Sequence, residues 1–155
     1  MTEEEATLLS KYRLENGAIY GVRGKLDGVK MSNGYLATRV WIGKKCKRVL
    51  LHRLVFLLAN GYLPKTVDHI NRVRDDNRPE NLRAATLREQ QGNRAAQGFT
   101  KRIHRYAKPR YEVNCDHRYI GVFDTKEEAS AAYATAKKAA FGQFTVDNMR
   151  AARAK

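Results

Sequence analysis

The spacing of apolar residues changes along this chain, and each change marks a new element. Residues 4–12 predict a short helix with glutamates in its first turn, where the helix dipole favours negative charge. A turn follows at Glu15-Asn16-Gly17, and residues 18–22, 35–42 and 47–51 read as short strands. Asp27-Gly28 and Ser32-Asn33-Gly34 supply turns between them. The period then switches: Leu51, Leu54, Val55 and Leu58 recur at the spacing of one helix face, so residues 51–60 predict a helix. Gly61 suits the position just past its end, and Pro64 stops any extension. This helix is expected to be the main core element of the first half.

Residues 68–81 break every periodicity. With three Asn, four Asp or Glu, and Pro79, this stretch is expected to be an irregular loop held by side-chain-to-backbone hydrogen bonds. Thr86 and Glu89 then form a capping box, predicting a helix over residues 87–95. Gly, Asn, Gln and Arg crowd residues 92–98, so a domain boundary is expected there. Beyond it Tyr111, Val113 and Cys115 alternate with Glu112 and Asn114, a strand with one buried face. A further strand covers residues 119–123. Thr125 with Glu128 caps a helix whose inner face carries Ala129, Ala132, Tyr133, Ala136 and Ala140, ending before Gly142. Three short strands and this helix make a minimal α+β unit.

Charge narrows the class of partner. The chain has 155 residues and a formal net charge of +14, so it has room for one or two small domains and attracts polyanions. Cys46 and Cys115 are isolated and the histidines scattered, which argues against a zinc cluster or a disulfide framework. The chain opens Met-Thr-Glu-Glu-Glu, without the basic start and apolar run of a secretory leader. The apolar run at 49–58 is interrupted by His52 and Arg53 and is too short to span a bilayer. The expectation is an intracellular, cytoplasmic protein with no membrane and no small-molecule cofactor.

The candidate chemistry lies in Asp68-His69-Ile70-Asn71 and Asp76-Asn77-Arg78-Pro79-Glu80-Asn81-Leu82. Phosphodiester hydrolysis needs a base for water and a cation for the phosphate and the leaving oxygen. Histidine suits the first role near neutral pH, and aspartate is a hard oxygen ligand suited to Mg²⁺. On an extended backbone Asp68 and His69 face opposite ways, unsuitable for two ligands of one ion but acceptable for a ligand and a base around one phosphate. The same residues are equally compatible with a polar surface loop in which Asp68 and His69 merely cap and pair.

With His52-Arg53 upstream, the segment from residue 52 to 93 closely resembles the HNH endonucleases of phage and intron homing type. That family folds the motif as two strands and a helix around a single metal ion. The resemblance implies that Asp68 is a metal ligand, that His69 is the general base, and that Asn81 braces the loop and orients His69; Asn77, in the same spacing, is a further catalytic candidate. The family's second protein ligand, usually His or Asn, falls 21 residues beyond His69, at Gln90, a departure from the pattern. Asn93, three residues along the same helical face, is the alternative. His52 opens a helix, where a structural role is the expectation. Tyr12, Asn16-Gly17, Ile19-Tyr20 and Gly34-Tyr35-Leu36 match the family's preamble, extending the resemblance over residues 6–96.

Residues 98–144 resemble a second family, the AP2 domains. Gly98, Tyr111, Gly121-Val122-Phe123-Asp124-Thr125, Glu127-Glu128-Ala129 and Ala132-Tyr133 fill that family's signature, although the stretch 105–109 is atypical. The resemblance implies a three-stranded sheet that enters the major groove, with a helix packed behind it. Lys101, Arg102, Arg105, Arg110, Glu112, Asn114 and Arg118 then become candidate DNA contacts. Glu112 suits either a cytosine or a neighbouring arginine.

The expected whole is an α+β protein: a ββα-metal (HNH) nuclease domain over residues 1–96, an AP2-like domain over 97–148 and a basic tail over 149–155. The expected activity is site-specific cleavage of double-stranded DNA, homing type, with one Mg²⁺ or Mn²⁺ ion per site. The enzyme is expected to be phage-encoded in a bacterial host and monomeric on DNA. The alternatives are a non-cleaving, sequence-specific DNA-binding protein derived from such a nuclease, and an RNA-binding or structural protein supported by charge alone.

Overall fold

The computed structural model describes residues 2–94, 98–102 and 108–145. Contacts divide the chain into two compact units, Met1–Leu87 and Arg88–Lys155. The division falls earlier than the composition of residues 92–98 suggested, because residues 88–94 pack with the C-terminal unit.

The first unit opens with α1 (Glu3–Lys11), whose start is fixed reciprocally. The Glu5 N–H donates to Thr2 Oγ1, and the Thr2 N–H donates to the Glu5 carboxylate. β1 (Arg13–Glu15), β2 (Ala18–Gly21) and β3 (Gly24–Leu26) form an antiparallel meander. Asn16 and Gly17, with φ of 47° and 75°, make the tight left-handed turn that joins the first two strands. A second meander follows, of β4 (Val29–Lys30), β5 (Leu36–Ile42) and β6 (Lys45–Leu50). The sequence pattern missed β1, β3 and β4, which are too short to show a period.

α2 (Leu51–Asn60) has the bounds predicted for it and ends at Gly61 in a left-handed conformation. Its burial is wider than one stripe. Leu54, Val55, Phe56 and Leu57 are all buried, because α2 packs against both meanders and the β-hairpin that follows. That hairpin pairs β7 (Thr66–His69) antiparallel with β8 (Leu82–Ala85), so the ends of the polar stretch are more regular than the sequence suggested. Val67 and Leu82 join Leu8, Ile19, Val40 and the α2 residues in one core. Truncating fully buried Leu54 to Ala would cost about 2–5 kcal/mol.

The second unit begins within α3 (Leu87–Gly92). Arg88 pairs with Asp116, and Lys137 donates to the Arg94 carbonyl at 2.7 Å. An antiparallel sheet follows, in the order β11 (Arg118–Phe123), β10 (Arg110–Cys115), β9 (Phe99–Arg102). α4 (Lys126–Phe141), capped by Thr125, packs its Ala129 and Tyr133 on Tyr111 and Val113 of the sheet. A side chain at Gly98 is excluded twice over. Its φ is 77°, and an added Cβ would lie 2.0 Å from the Tyr133 ring. The α+β class and the three-strand-plus-helix arrangement are thus present. α3 ends at Gly92, short of the expected residue 95, as the chain turns at Asn93 and Arg94; Arg105 and the tail 149–155 lie outside the described residues.

Candidate active site

The loop between β7 and β8 holds its shape through one amide. Asn81, at the end of a 3-10 turn (Pro79–Asn81), is buried. Its Oδ1 accepts from the Asn71 N–H at 3.0 Å, and its Nδ2 donates to Asn71 Oδ1 at 2.9 Å and to the Asp76 carbonyl at 2.7 Å. Asn71 Oδ1 also accepts from the Val73 N–H at 2.9 Å. These are the side-chain-to-backbone bonds expected of a segment with few apolar anchors. Each buried polar group left unsatisfied would cost about 1–3 kcal/mol.

Charge holds the outer side of the loop. Asp76 accepts from Arg78 and from Asn71, and the Arg78 guanidinium holds its carboxyl down at about 2. Lys30 bonds Asp75 at 2.7 Å and lowers that carboxyl also. Arg74 donates to the Asn33 carbonyl at 2.7 Å, and its guanidinium carbon lies 5.2 Å from the Tyr35 ring centre. The loop is therefore fastened to the turn before β5.

His69 ends β7 and is buried, while Asp68 leans to the other side of the strand. His69 Nε2 lies 3.0 Å from Asn77 Oδ1. An Nε2–H donated to this amide oxygen would leave the lone pair of a neutral ring on Nδ1, the tautomer a base needs. The His69 ring sits in an aromatic cage. Its centre is 5.0 Å from that of His52 and 5.8 Å from that of Tyr35.

His52 stands at the start of α2. It is buried beneath His69, and among the described residues its Nδ1 has no hydrogen-bond partner. Burial first, then the charges of His69 and Arg53, push its imidazole down to about 4. It is neutral wherever the protein works near neutral pH.

Asp68 faces Arg83 across the hairpin, the two being paired in register. Its Oδ2 accepts from Arg83 Nε at 3.0 Å and from Nη2 at 2.9 Å. Both side chains are mostly buried, Asp68 at 12% and Arg83 at 16% exposed. Sequence reading missed Arg83, because only the hairpin register reveals it. Among the described residues, no group of three or more His, Cys, Asp or Glu side chains is placed to hold a metal. Asp68 is thus an acidic donor already engaged, and Gln90 and Asn93 belong to the segment 88–94 of the second unit.

In the second unit, the sheet sorts its candidates by face. Arg102, Arg110, Glu112 and Asn114 register on the face opposite α4, whereas Lys101 pairs with buried Tyr111 and Arg118 with buried Cys115. Arg102 ion-pairs with Glu112, Asn114 Nδ2 donates to Glu112 at 3.0 Å, and Arg110 bonds Asp124 at 3.0 Å. Arg102 first, then Asn114, holds the Glu112 carboxyl below its ordinary value. Of the two roles the sequence left open for Glu112, the arginine pair is the one formed.

Comparison with known proteins adds a family to this geometry. Residues 49–91, which carry α2, the hairpin and the loop, match the HNH endonuclease family. Among solved structures, one titled "DNA binding and cleavage by the HNH homing endonuclease I-HmuI" is 31% identical, with a TM-score of 0.43. That match covers 49% of this chain and 47% of the other, so it spans about half the length of each. No curated protein matches the chain. Among the described residues, no helix is long and apolar enough to cross a membrane.

Proposed function

We propose that the chain is a site-specific, divalent-metal-dependent DNA endonuclease of homing type. The observation that carries this reading is the caged His69, held by Asn77 beside Asp68 within the segment that matches the HNH endonuclease family. His69 takes a proton from the attacking water as its oxygen bonds to phosphorus and a P–O bond to the sugar breaks. Asn77 fixes the tautomer of the base, and Asn81 holds the loop at whose start His69 sits. Tyr35 and neutral His52 confine the ring without adding charge. Asp68 offers a hard oxygen donor suited to Mg²⁺ or Mn²⁺ once it releases Arg83, and the family pattern would add Gln90, or Asn93 in its place, as the second ligand. When bound, such an ion supplies positive charge at the phosphate and the leaving oxygen.

In this reading residues 1–96 carry the chemistry. The AP2-like sheet of 97–148 grips the duplex through Arg102 and Arg110, with Lys101, Arg105, Glu112, Asn114 and Arg118 as further candidate contacts, and the basic tail of 149–155 follows it. The substrate is double-stranded DNA, the protein acts as a monomer on it, and the setting is the cytoplasm of a phage-infected bacterium. Plasmid DNA incubated with the purified protein and Mg²⁺ or Mn²⁺ tests the reading: nicked or linear product that EDTA abolishes is the expected outcome. One observation favours a second reading, a DNA-binding protein that no longer cuts. Asp68 is already neutralised by Arg83. Tight duplex binding with no cleavage in either metal would select that reading.

A further inference from the structure

We infer that Arg83 and the divalent cation compete for Asp68, and that a DNA phosphate which takes Arg83 thereby raises the affinity for the cation. The inference rests on the reading of Asp68 as a metal ligand. The pair is not a surface accident. The register of β7 with β8 sets Asp68 directly opposite Arg83, and the adjacent pair, His69 with Leu82, is buried. Two guanidinium nitrogens, Nε and Nη2, converge on one carboxylate oxygen. A cation approaching that oxygen meets the same lone pairs, and one approaching the other oxygen still meets the guanidinium charge, so Arg83 opposes cation binding while it holds Asp68.

Once displaced from Asp68, the Arg83 guanidinium is available to an anion of the substrate. The loop's other carboxylates already have cationic partners: Asp75 has Lys30, Asp76 has Arg78, and Glu80 lies 3.7 Å from the same Arg78. A phosphodiester of the substrate is an anion well suited to a planar, two-pronged donor. Linkage then requires reciprocity: duplex that binds Arg83 tightens cation binding, and the cation tightens duplex binding by the same factor. Arg83 would thus keep a mostly buried carboxylate neutralised in the free protein and hold the cation site weak until DNA arrives.

The test is a titration of the full chain with Mn²⁺ alone, free Mn²⁺ being read by electron paramagnetic resonance. It compares the wild type with Arg83→Gln, Arg83→Lys and Asp68→Ala, each with and without a short duplex whose own Mn²⁺ binding is subtracted. Arg83→Gln should bind Mn²⁺ about tenfold more tightly than the wild type without DNA. It should also melt lower than the wild type in EDTA and recover on adding Mn²⁺. Duplex should tighten Mn²⁺ binding to the wild type and leave Arg83→Gln nearly unmoved. Arg83→Lys, which keeps the charge and loses the fork, should fall between, and it decides the matter if the Gln variant does not fold. Unchanged Mn²⁺ affinity in the Arg83 variants, with binding lost in Asp68→Ala, would overturn this inference alone. Unchanged binding in Asp68→Ala would remove Asp68 as a ligand and take both readings with it.

Discussion

The loop of the first unit and the sheet face of the second are both polar, yet they are built on opposite terms. Around His69 the polar groups are buried or half-buried, and each fixes one piece of the geometry. Asn81 spans the loop, Asn77 sets a tautomer, and Arg83 neutralises Asp68. On the sheet, Arg102 and Arg110 are more than half exposed, and their acidic partners lie close by in the same unit. In the low-dielectric loop a misplaced group costs its whole desolvation penalty, whereas on the sheet water and salt screen each pair. A buried network suits chemistry at one atom, and a screened, exposed fringe of arginines suits a backbone of many phosphates. Mutations should therefore be severe and specific in the first region, mild and cumulative in the second.

The sharpest way to break that contrast is His69→Ala. It should slow cleavage about 10²-fold or more, within the usual range for loss of a general base, and leave duplex affinity nearly intact. Single-turnover cleavage beside a binding titration checks both halves, and unchanged cleavage removes His69 from the mechanism.

Acid should expose the buried side of the comparison. The folded pKa of His52 is about 4, below its ordinary 6.5, so the unfolded chain takes up a proton that the folded chain refuses. Its contribution is fully present above pH 6.5 and is lost as pH falls towards 4, about 3 kcal/mol across the window. Urea unfolding at stepped pH would show this slope, and His52→Gln should flatten it. An equal slope in the variant would assign the effect elsewhere.

Asn81→Ala comes next. It strips the hydrogen bonds from the Asn71 N–H and the Asp76 carbonyl, and should destabilise the first unit by about 2 kcal/mol. Thermal melting is the measure, and a change below about 0.5 kcal/mol would deny Asn81 its bracing role.

The mildest effects belong to the sheet. Arg102→Ala and Arg110→Ala should each weaken duplex binding a few-fold and make it less salt-dependent, while the cleavage rate at saturating DNA stays the same. Either one abolishing cleavage at saturation would collapse the distinction between the two regions.

What the chain alone determined was whatever repeats locally. The period of Leu51, Leu54, Val55 and Leu58 delimited α2 to the residue, and Thr125 with the alanine stripe delimited α4, because caps and periodicity act within a few turns of backbone. The family resemblance pointed to His69, Asn77 and Asn81; His69 faces Asn77, whereas the Asn81 side chain expected to orient His69 bonds Asn71 and Asp76 instead. Tertiary structure decided what no spacing carries. Arg83 meets Asp68 only because the hairpin closes in one register, and a slip of one residue would turn Arg83 to the other face. His52 reaches His69 from another element, across a gap that only packing closes. Lys101 and Arg118 look like their neighbours in a list of basic residues, yet strand pairing sets them on the same side as Tyr111 and Cys115. Sequence records the period of an element; which elements meet, and in what register, is fixed by the burial of Val67, Leu82, Tyr111 and Val113 against partners distant in the chain.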